Sequence, residues 1–123
     1  MTYYICVGGC RNFYRYDVLE AYLDKVLQNL KNQGDICIIS GAAPGVDSLA
    51  IRYASERGFR CLQYPAAWDK YGKAAGPRRN AEMVAKSSHI VAFWDGSSRG
   101  TYNLIQNAKR AKKPLKVKII SID

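Results

Sequence analysis

The sequence predicts an α/β fold: a single three-layer domain with a five-stranded parallel sheet and helices on both faces. Three observations carry this. Runs such as 36–39 and 89–94 are apolar without polar alternation, which suits strands covered on both sides. Between the apolar runs lie segments whose hydrophobic residues recur at helical spacing, so strand and helix alternate from end to end. The turns that follow the strands are rich in Gly, Pro and small residues, as βα loops are.

In chain order, residues 4–7 open as a strand that ends in Gly8-Gly9, with Cys10, Arg11 and Asn12 in the turn. A helix follows from Asp17, because Leu19, Tyr22, Leu23, Val26, Leu27 and Leu30 keep a core-facing spacing. Asp17 with Glu20 reads as a capping box, and Gly34 closes the segment. The strand 36–39 leads into the turn 40–45, with Gly41, Ala42 and Gly45. Val46, Leu49, Ala50, Tyr53 and Ala54 then mark a helix that ends near Arg57-Gly58. Such a turn lets backbone amides approach an anion at a helix N-terminus, and it equally suits a tight βα connection that needs glycine for its own geometry.

Residues 59–64 read as a third strand, and 65–77 as an irregular stretch in which Trp68, Tyr71, Lys70 and Lys73 stand among small residues. Its aromatics could stack on a base while its lysines meet phosphate, or the stretch could fold down as a lid on the core. Pro77 suits the first turn of a helix with Ala81, Val84 and Ala85 inward. Arg78 and Arg79 in that turn oppose the helix dipole, a conflict that a nearby anion would resolve. The strand 89–94 ends in the turn 95–101, with Asp95, Gly96, Ser98, Arg99, Gly100 and Thr101. Leu104, Ile105, Ala108 and Ala111 mark the helix after it, with Thr101 as its cap. Pro114 ends that helix, and 117–122 is the last strand.

At 123 residues the chain forms one domain spanning 1–123. No stretch approaches the ~20 apolar residues of a membrane span, and the N-terminus has no leader pattern, so a cytoplasmic protein without membrane contact is expected. Four cysteines without a C-x-x-C pair, together with a single His, argue against a zinc site and for reduced thiols. Cys10, beside two glycines and Arg11, is expected to have a partly exposed thiol. Lys and Arg number 19 against 10 Asp and Glu, a net charge of +9 that favours anionic partners. Much of it is concentrated in Lys109, Arg110, Lys112, Lys113, Lys116 and Lys118, which also suits a solvated helix face.

Ligands of such sheets bind outside the carboxyl ends of the strands, where strand order reverses. Four unusual loops converge on that edge with Arg11, Arg78, Arg79 and Arg99 among them, a pattern that points to a phosphate-bearing ligand. The ordered strings GAAPGVDSLA, AAWDKYGKAAGPRRNAEM and FWDGSSRGT resemble the YspA-type branch of the SLOG superfamily, over residues 7 to about 117. The resemblance implies a Rossmann-like domain with strand order 3-2-1-4-5, and a nucleotide or nucleotide-derived ligand across the loops of the first and fourth strands. It also implies a homo-oligomer, as LOG-like relatives suggest.

In the related LOG enzymes, which cut the N-glycosidic bond of nucleoside monophosphates, an R-K-A-E-M segment and a P-G-G-x-G-T-x-x-E loop form the site. Arg79-Asn80-Ala81-Glu82-Met83 is similar to the first and residues 95–101 to the second, but Leu104 stands at the position of the catalytic Glu. A hydrolase needs a carboxylate near the ribose. Glu82 and Asp47 are the candidate catalytic residues, with Asp95 a third possibility, and each also has an ordinary structural use.

The leading expectation is a binding module for an ADP-ribose-like or cyclic nucleotide signal, acting as sensor or sequestering protein. Amides of the glycine turns (Gly8, Gly9, Gly41, Ala42, Gly45) would hold phosphate, Arg79 and Arg99 would neutralise it, Ser98 and Thr101 would donate, and Trp68 would cover the base. No cofactor is expected, magnesium entering only as the companion of a phosphate. The alternatives are a phosphoribohydrolase and, as in related DprA domains, a binder of single-stranded nucleic acid. A lone domain of this kind also suits a phage or plasmid protein that takes up a host signal.

Overall fold

The computed structural model describes residues 1–122. Its five strands are β1 (Thr2–Gly9), β2 (Asp35–Ser40), β3 (Arg60–Gln63), β4 (His89–Trp94) and β5 (Leu115–Ile119), all parallel, in the order β3-β2-β1-β4-β5. The main helices are α1 (Tyr16–Leu27), α2 (Val46–Arg57), α4 (Ala75–Lys86) and α5 (Arg99–Arg110), with a single turn, α3 (Trp68–Tyr71), ahead of α4. Strand order reverses at β1, which pairs with β2 on one side and β4 on the other. The expected Rossmann-like architecture and strand order are therefore observed.

Alternate residues of the central strands feed two cores. Ile5 and Val7 of β1, Ile38 of β2 and Phe93 of β4 pack under α1 and α2 with Leu19, Leu23, Ala50 and Tyr53. Cys6, Ile39 and Ile90 point to the other face and meet Met83 and Val84 of α4 and Leu104 and Ala108 of α5. The period-2 pleat thus gives each central strand two buried faces, which is why these runs carry no polar alternation. On the first face Arg57 of α2 ties down α1 through Glu20 at 2.9 Å and Asp24 at 2.7 Å. Gly58, at φ +69°, then ends α2 with a left-handed cap.

Several expected details differ. Asp17 does not cap α1; it pairs with Arg15 at 2.9 Å, and no side chain caps the helix. The helix stops at Leu27, and Leu30–Asn32 forms a separate 3-10 turn. Residues 65–77 are not irregular throughout, because α3 and a 3-10 turn, Gly72–Ala74, run directly into α4. Ala81 and Ala85 face solvent, and Asn80, Met83 and Val84 are the buried residues of that stretch. The cap of α5 is Ser98, with Thr101 inside the first turn. The last strand begins at Leu115, two residues earlier than the apolar pattern suggests, since an edge strand alternates and 116–119 are mostly exposed. Among the described residues no helix is long and apolar enough to cross a membrane.

Candidate functional site

A cleft of about 720 Å³ opens at the carboxyl end of β1, within the usual range for a small-molecule site. Its floor is Gly8 and Gly9, the last residues of the strand at the sheet's switch point. One wall is the first turn of α5, with Ser98, Arg99, Gly100 and Thr101; another is α4, with Arg79, Asn80 and Met83. Asp47 of α2 and Arg11 close the far side, and Trp68 stands at the rim. The glycines of the floor are required by packing. A Cβ at Gly9 would meet the carbonyl oxygen of Phe93, and one at Gly8 would lie 2.7 Å from Leu104 Cδ2.

Of the ligand-binding residues expected from sequence, Gly8, Gly9, Arg11, Asp47, Trp68, Arg79, Asn80, Asp95, Ser98, Arg99, Gly100 and Thr101 line this one cleft. Gly41 and Ala42 line a smaller hollow of about 240 Å³ beside it, which shares Arg11, Ala43, Trp68 and Arg79 with the main cleft. Gly45, Lys73, Arg78, Gly96 and Glu82 line neither. Gly45, at φ +80°, lets two loops meet: a Cβ there would strike the backbone of Cys10 and Arg11. Lys73 and Glu82 are exposed, and Gly96 sits in an open turn at φ +89°. Arg78 lies 4.0 Å from the centre of the Tyr71 ring, a cation–π contact.

The turn 41–45 uses its amides inside the chain. The Ala42 amide donates to Ser40 Oγ (3.2 Å), that of Ala43 to Asp47 Oδ2 (3.3 Å) and that of Val46 to the Cys10 carbonyl (3.1 Å). Its glycines therefore serve loop packing more than anion capture. The first turn of α5 is different. Ahead of the intrahelical ladder its leading N–H groups have no partner within the helix, and Gly100 has open space where a Cβ would be. Asp95 Oδ1 accepts the amides of Ser97 (2.9 Å) and Ser98 (2.8 Å), which holds its carboxyl below the usual range and fixes the approach to α5. The anion-binding features of the cleft are thus concentrated at α5.

Arg79 is half-buried and fixed from several sides. Nη1 donates to the carbonyl of Gly41 and Nε to Asn80 Oδ1 (3.1 Å). Because α4 begins at Ala75, Arg79 lies beyond its first turn, and the expected conflict with the helix dipole does not arise there; a carbonyl, a side-chain amide and the charge of Asp47 hold the guanidinium. Asn80 also donates to the carbonyl of Gly100 (3.2 Å) and to Asn103 Oδ1 (3.0 Å), which locks α4 to the start of α5. Asn103 carries no motif that marks it in the sequence, although it stands three and four residues after Gly100 and Arg99 and so shares their helix face. Asn12, Gly76, Pro77 and Met83 also line the cleft, the last three from within the string AAWDKYGKAAGPRRNAEM at 66–83, although none is among the ligand-binding residues expected from sequence.

Asp47 is 6% exposed, and burial pushes its carboxyl up to about 6 despite the charges of Arg79 and Arg11 and the amides of Ala43 and Gly9. Cys10 is buried, not partly exposed; its Sγ donates to the Phe93 carbonyl at 3.7 Å and burial raises its pKa. Leu104, where LOG enzymes carry glutamate, faces the cleft as a buried apolar side chain. Among the described residues no group of three or more His, Cys, Asp or Glu is placed to hold a metal ion.

Comparison with known proteins agrees with this architecture. Gene 61 protein of Mycobacterium phage D29 is 34% identical over 86 residues, 65% of this chain and 69% of that protein. The crystal structure of DNA processing protein A (DprA) from Streptococcus pneumoniae superposes with a TM-score of 0.73 at 19% identity, covering 98% of this chain. The chain spans about half of DprA, 52% of its length. The structural-genomics target TM1055 superposes with a TM-score of 0.66 at 17% identity, over 92% of this chain and 72% of that one. These two likenesses show the fold. The profile of the YspA, cpYpsA-related SLOG family matches residues 4–71, more than half of the chain, and the chain belongs to that family.

Proposed function

We propose that the chain binds a nucleotide or nucleotide-derived ligand, of the ADP-ribose-like or cyclic-nucleotide kind, and acts as a sensor or sequestering protein. The observation that carries this reading is the meeting of the α5 N-terminus with the Gly8-Gly9 floor, inside a cleft that also holds Arg11, Arg79 and Arg99. Phosphate would lie against the amides of Arg99, Gly100 and Thr101, where helix polarity and open backbone favour an anion. Trp68, 48% exposed at the rim and 5.4 Å from the Arg11 guanidinium, would cover a base.

Mass spectrometry of small molecules released on denaturing the purified protein, followed by incubation with AMP, NAD and cyclic dinucleotides, tests the reading. A retained or bound nucleotide without new products supports it. Absence of binding across the set would sink it. Release of free base and ribose phosphate would instead establish a phosphoribohydrolase. Asp47 favours that second reading, as a buried carboxylate lining the cleft whose carboxyl is raised to about 6, whereas the amides of its own turn hold that of Asp95 low. Replacing Asp47 would then abolish turnover and leave binding largely intact. The homo-oligomer is part of the same proposal: Tyr102 on α5 and Val117 and Ile119 on β5 are exposed, and a second copy could cover them. Light scattering of the purified chain reads that directly.

A further inference from the structure

A carboxylate inside a cleft suited to phosphate requires an explanation. Asp47 sits in the first turn of α2, only 6% exposed, and faces the space above Gly8. Two backbone amides reach the carboxylate, that of Ala43 at 3.3 Å from Oδ2 and that of Gly9. Oδ1 lies 3.8 Å from where a Cβ would stand on Gly8, and Leu104 Cδ2 of α5 lies 2.7 Å from the same point. An ionised carboxylate offers about four acceptor sites and no donor, so Asp47 retains acceptor capacity toward the cleft. A phosphate would be repelled there.

From these positions we infer that Asp47 is a specificity-determining residue that accepts hydrogen bonds from the ribose hydroxyls of the ligand, making the site selective for ribonucleotides over deoxyribonucleotides. The inference rests on the nucleotide reading above. It follows from how the cleft is divided. The anion-binding groups are at α5, and Trp68 stands at the rim, so the part of a nucleotide between phosphate and base falls over Gly8. Asp47 and Leu104 are the side chains nearest to that glycine's open position. Leu104 presents only methyl groups, which leaves Asp47 as the polar partner for a sugar at this point. Two neighbouring glycines keep the approach open: a Cβ on Gly41 would collide with both Asp47 and the Arg79 guanidinium, and one on Gly8 would fill the floor. Arg79, held by the Gly41 carbonyl beside the carboxylate, opposes the protonation that burial favours.

The test is calorimetric titration of the full chain with 5′-AMP, 5′-GMP and ADP-ribose, and with the 2′-deoxy and 3′-deoxy forms of the two mononucleotides, repeated with Asp47→Asn. Wild type is expected to bind at least one ribonucleotide about tenfold or more tightly than its deoxy form, the size of a lost hydrogen bond to a charged acceptor. Asp47→Asn should bring that ratio to within about threefold of one, because the neutral amide is a weaker acceptor. Equal affinity of wild type for ribo and deoxy forms overturns the inference and leaves nucleotide binding standing. A ratio that survives in Asp47→Asn overturns it too, since another group then reads the hydroxyl. Absence of binding to every nucleotide overturns both this inference and the reading it rests on. If Asp47→Asn does not fold, Asp47→Ser is titrated in its place with the same two outcomes.

Discussion

Asp47 and the glycines around it set the chemistry of the site at the residue scale, and each makes a measurable prediction. Burial raises the Asp47 carboxyl from its ordinary value near 4 to about 6, so between these pH values the unfolded chain ionises this group while the native protein keeps its proton. Folding stability should therefore fall as pH rises from 4 to 6 and level off above. The shift corresponds to about 3 kcal/mol. His89, whose pKa burial lowers, tilts stability the other way, but it is present in both wild type and Asp47→Asn, and their difference isolates Asp47. Urea melts across pH 4–7 should show Asp47→Asn gaining on wild type as pH rises; a constant difference would mean that Asp47 is already ionised at pH 4 in the native state. Gly100 offers a second test, because a methyl there meets nothing in the free protein. Gly100→Ala should keep or raise stability by about 0.5–1 kcal/mol, yet weaken nucleotide binding if phosphate rides on that backbone. Gly9→Ala should instead cost about 1–3 kcal/mol, since its Cβ would meet the carbonyl of Phe93 in the neighbouring strand. The melting temperatures of the two variants separate a glycine kept for a ligand from one kept for packing.

At the scale of elements, the strands and helices were legible wherever a full period of apolar residues was present. The run 89–94 gave β4 (His89–Trp94) end for end, because a central strand buried on both faces leaves no polar residue to blur it. What could not be read were features decided by distant partners. Ala81 and Ala85 fit an inward face as well as Asn80 and Met83 do, until the bonds from Asn80 to Gly100 and Asn103 turn that side of α4 toward α5. The turn 41–45 has the composition of a phosphate loop, but Ser40 Oγ and Asp47 Oδ2 occupy its amides, and that depends on contacts beyond the motif. The α3 turn escaped because one helical turn has no periodicity of its own. It matters because it carries Trp68, whose ring packs against Gly76 at the start of α4 and stands beside Arg11. Trp68→Ala should lower nucleotide affinity with little change in melting temperature, since the side chain is half exposed. Ligand-induced change in tryptophan fluorescence should be lost in that variant, because Trp94 donates its Nε1 proton to the Ser98 carbonyl behind the cleft wall. Persistence of the full signal in Trp68→Ala would place the base elsewhere.

For the whole molecule the open question is what the net charge of +9 is for. A field of that sign makes binding of single-stranded nucleic acid the natural rival to a small ligand. The two differ in their dependence on salt. A strand that displaces counterions over several phosphates loses affinity steeply as salt rises, by about 0.7 decades per decade of salt for each phosphate neutralised. A ligand with one or two phosphates in a cleft fixed by backbone amides has a shallow slope. The cationic residues late in the chain are not equivalent in this test. Lys113 Nζ donates to the carbonyl of Ser87 at 2.6 Å and to that of Ala85 at 3.4 Å, which neutralises the C-terminal end of α4. Reversing it would damage the fold and confuse the readout. Lys109, Lys112 and Lys116 are exposed, and their joint replacement by Glu removes six units of charge from that face without touching the cleft. The expected result is nucleotide affinity within about twofold of wild type at 0.15 M salt, where charges beyond about 8 Å are largely screened. Steep, salt-dependent binding of an oligonucleotide by wild type, lost in the triple variant, would move the function from the cleft to the α5–β5 face.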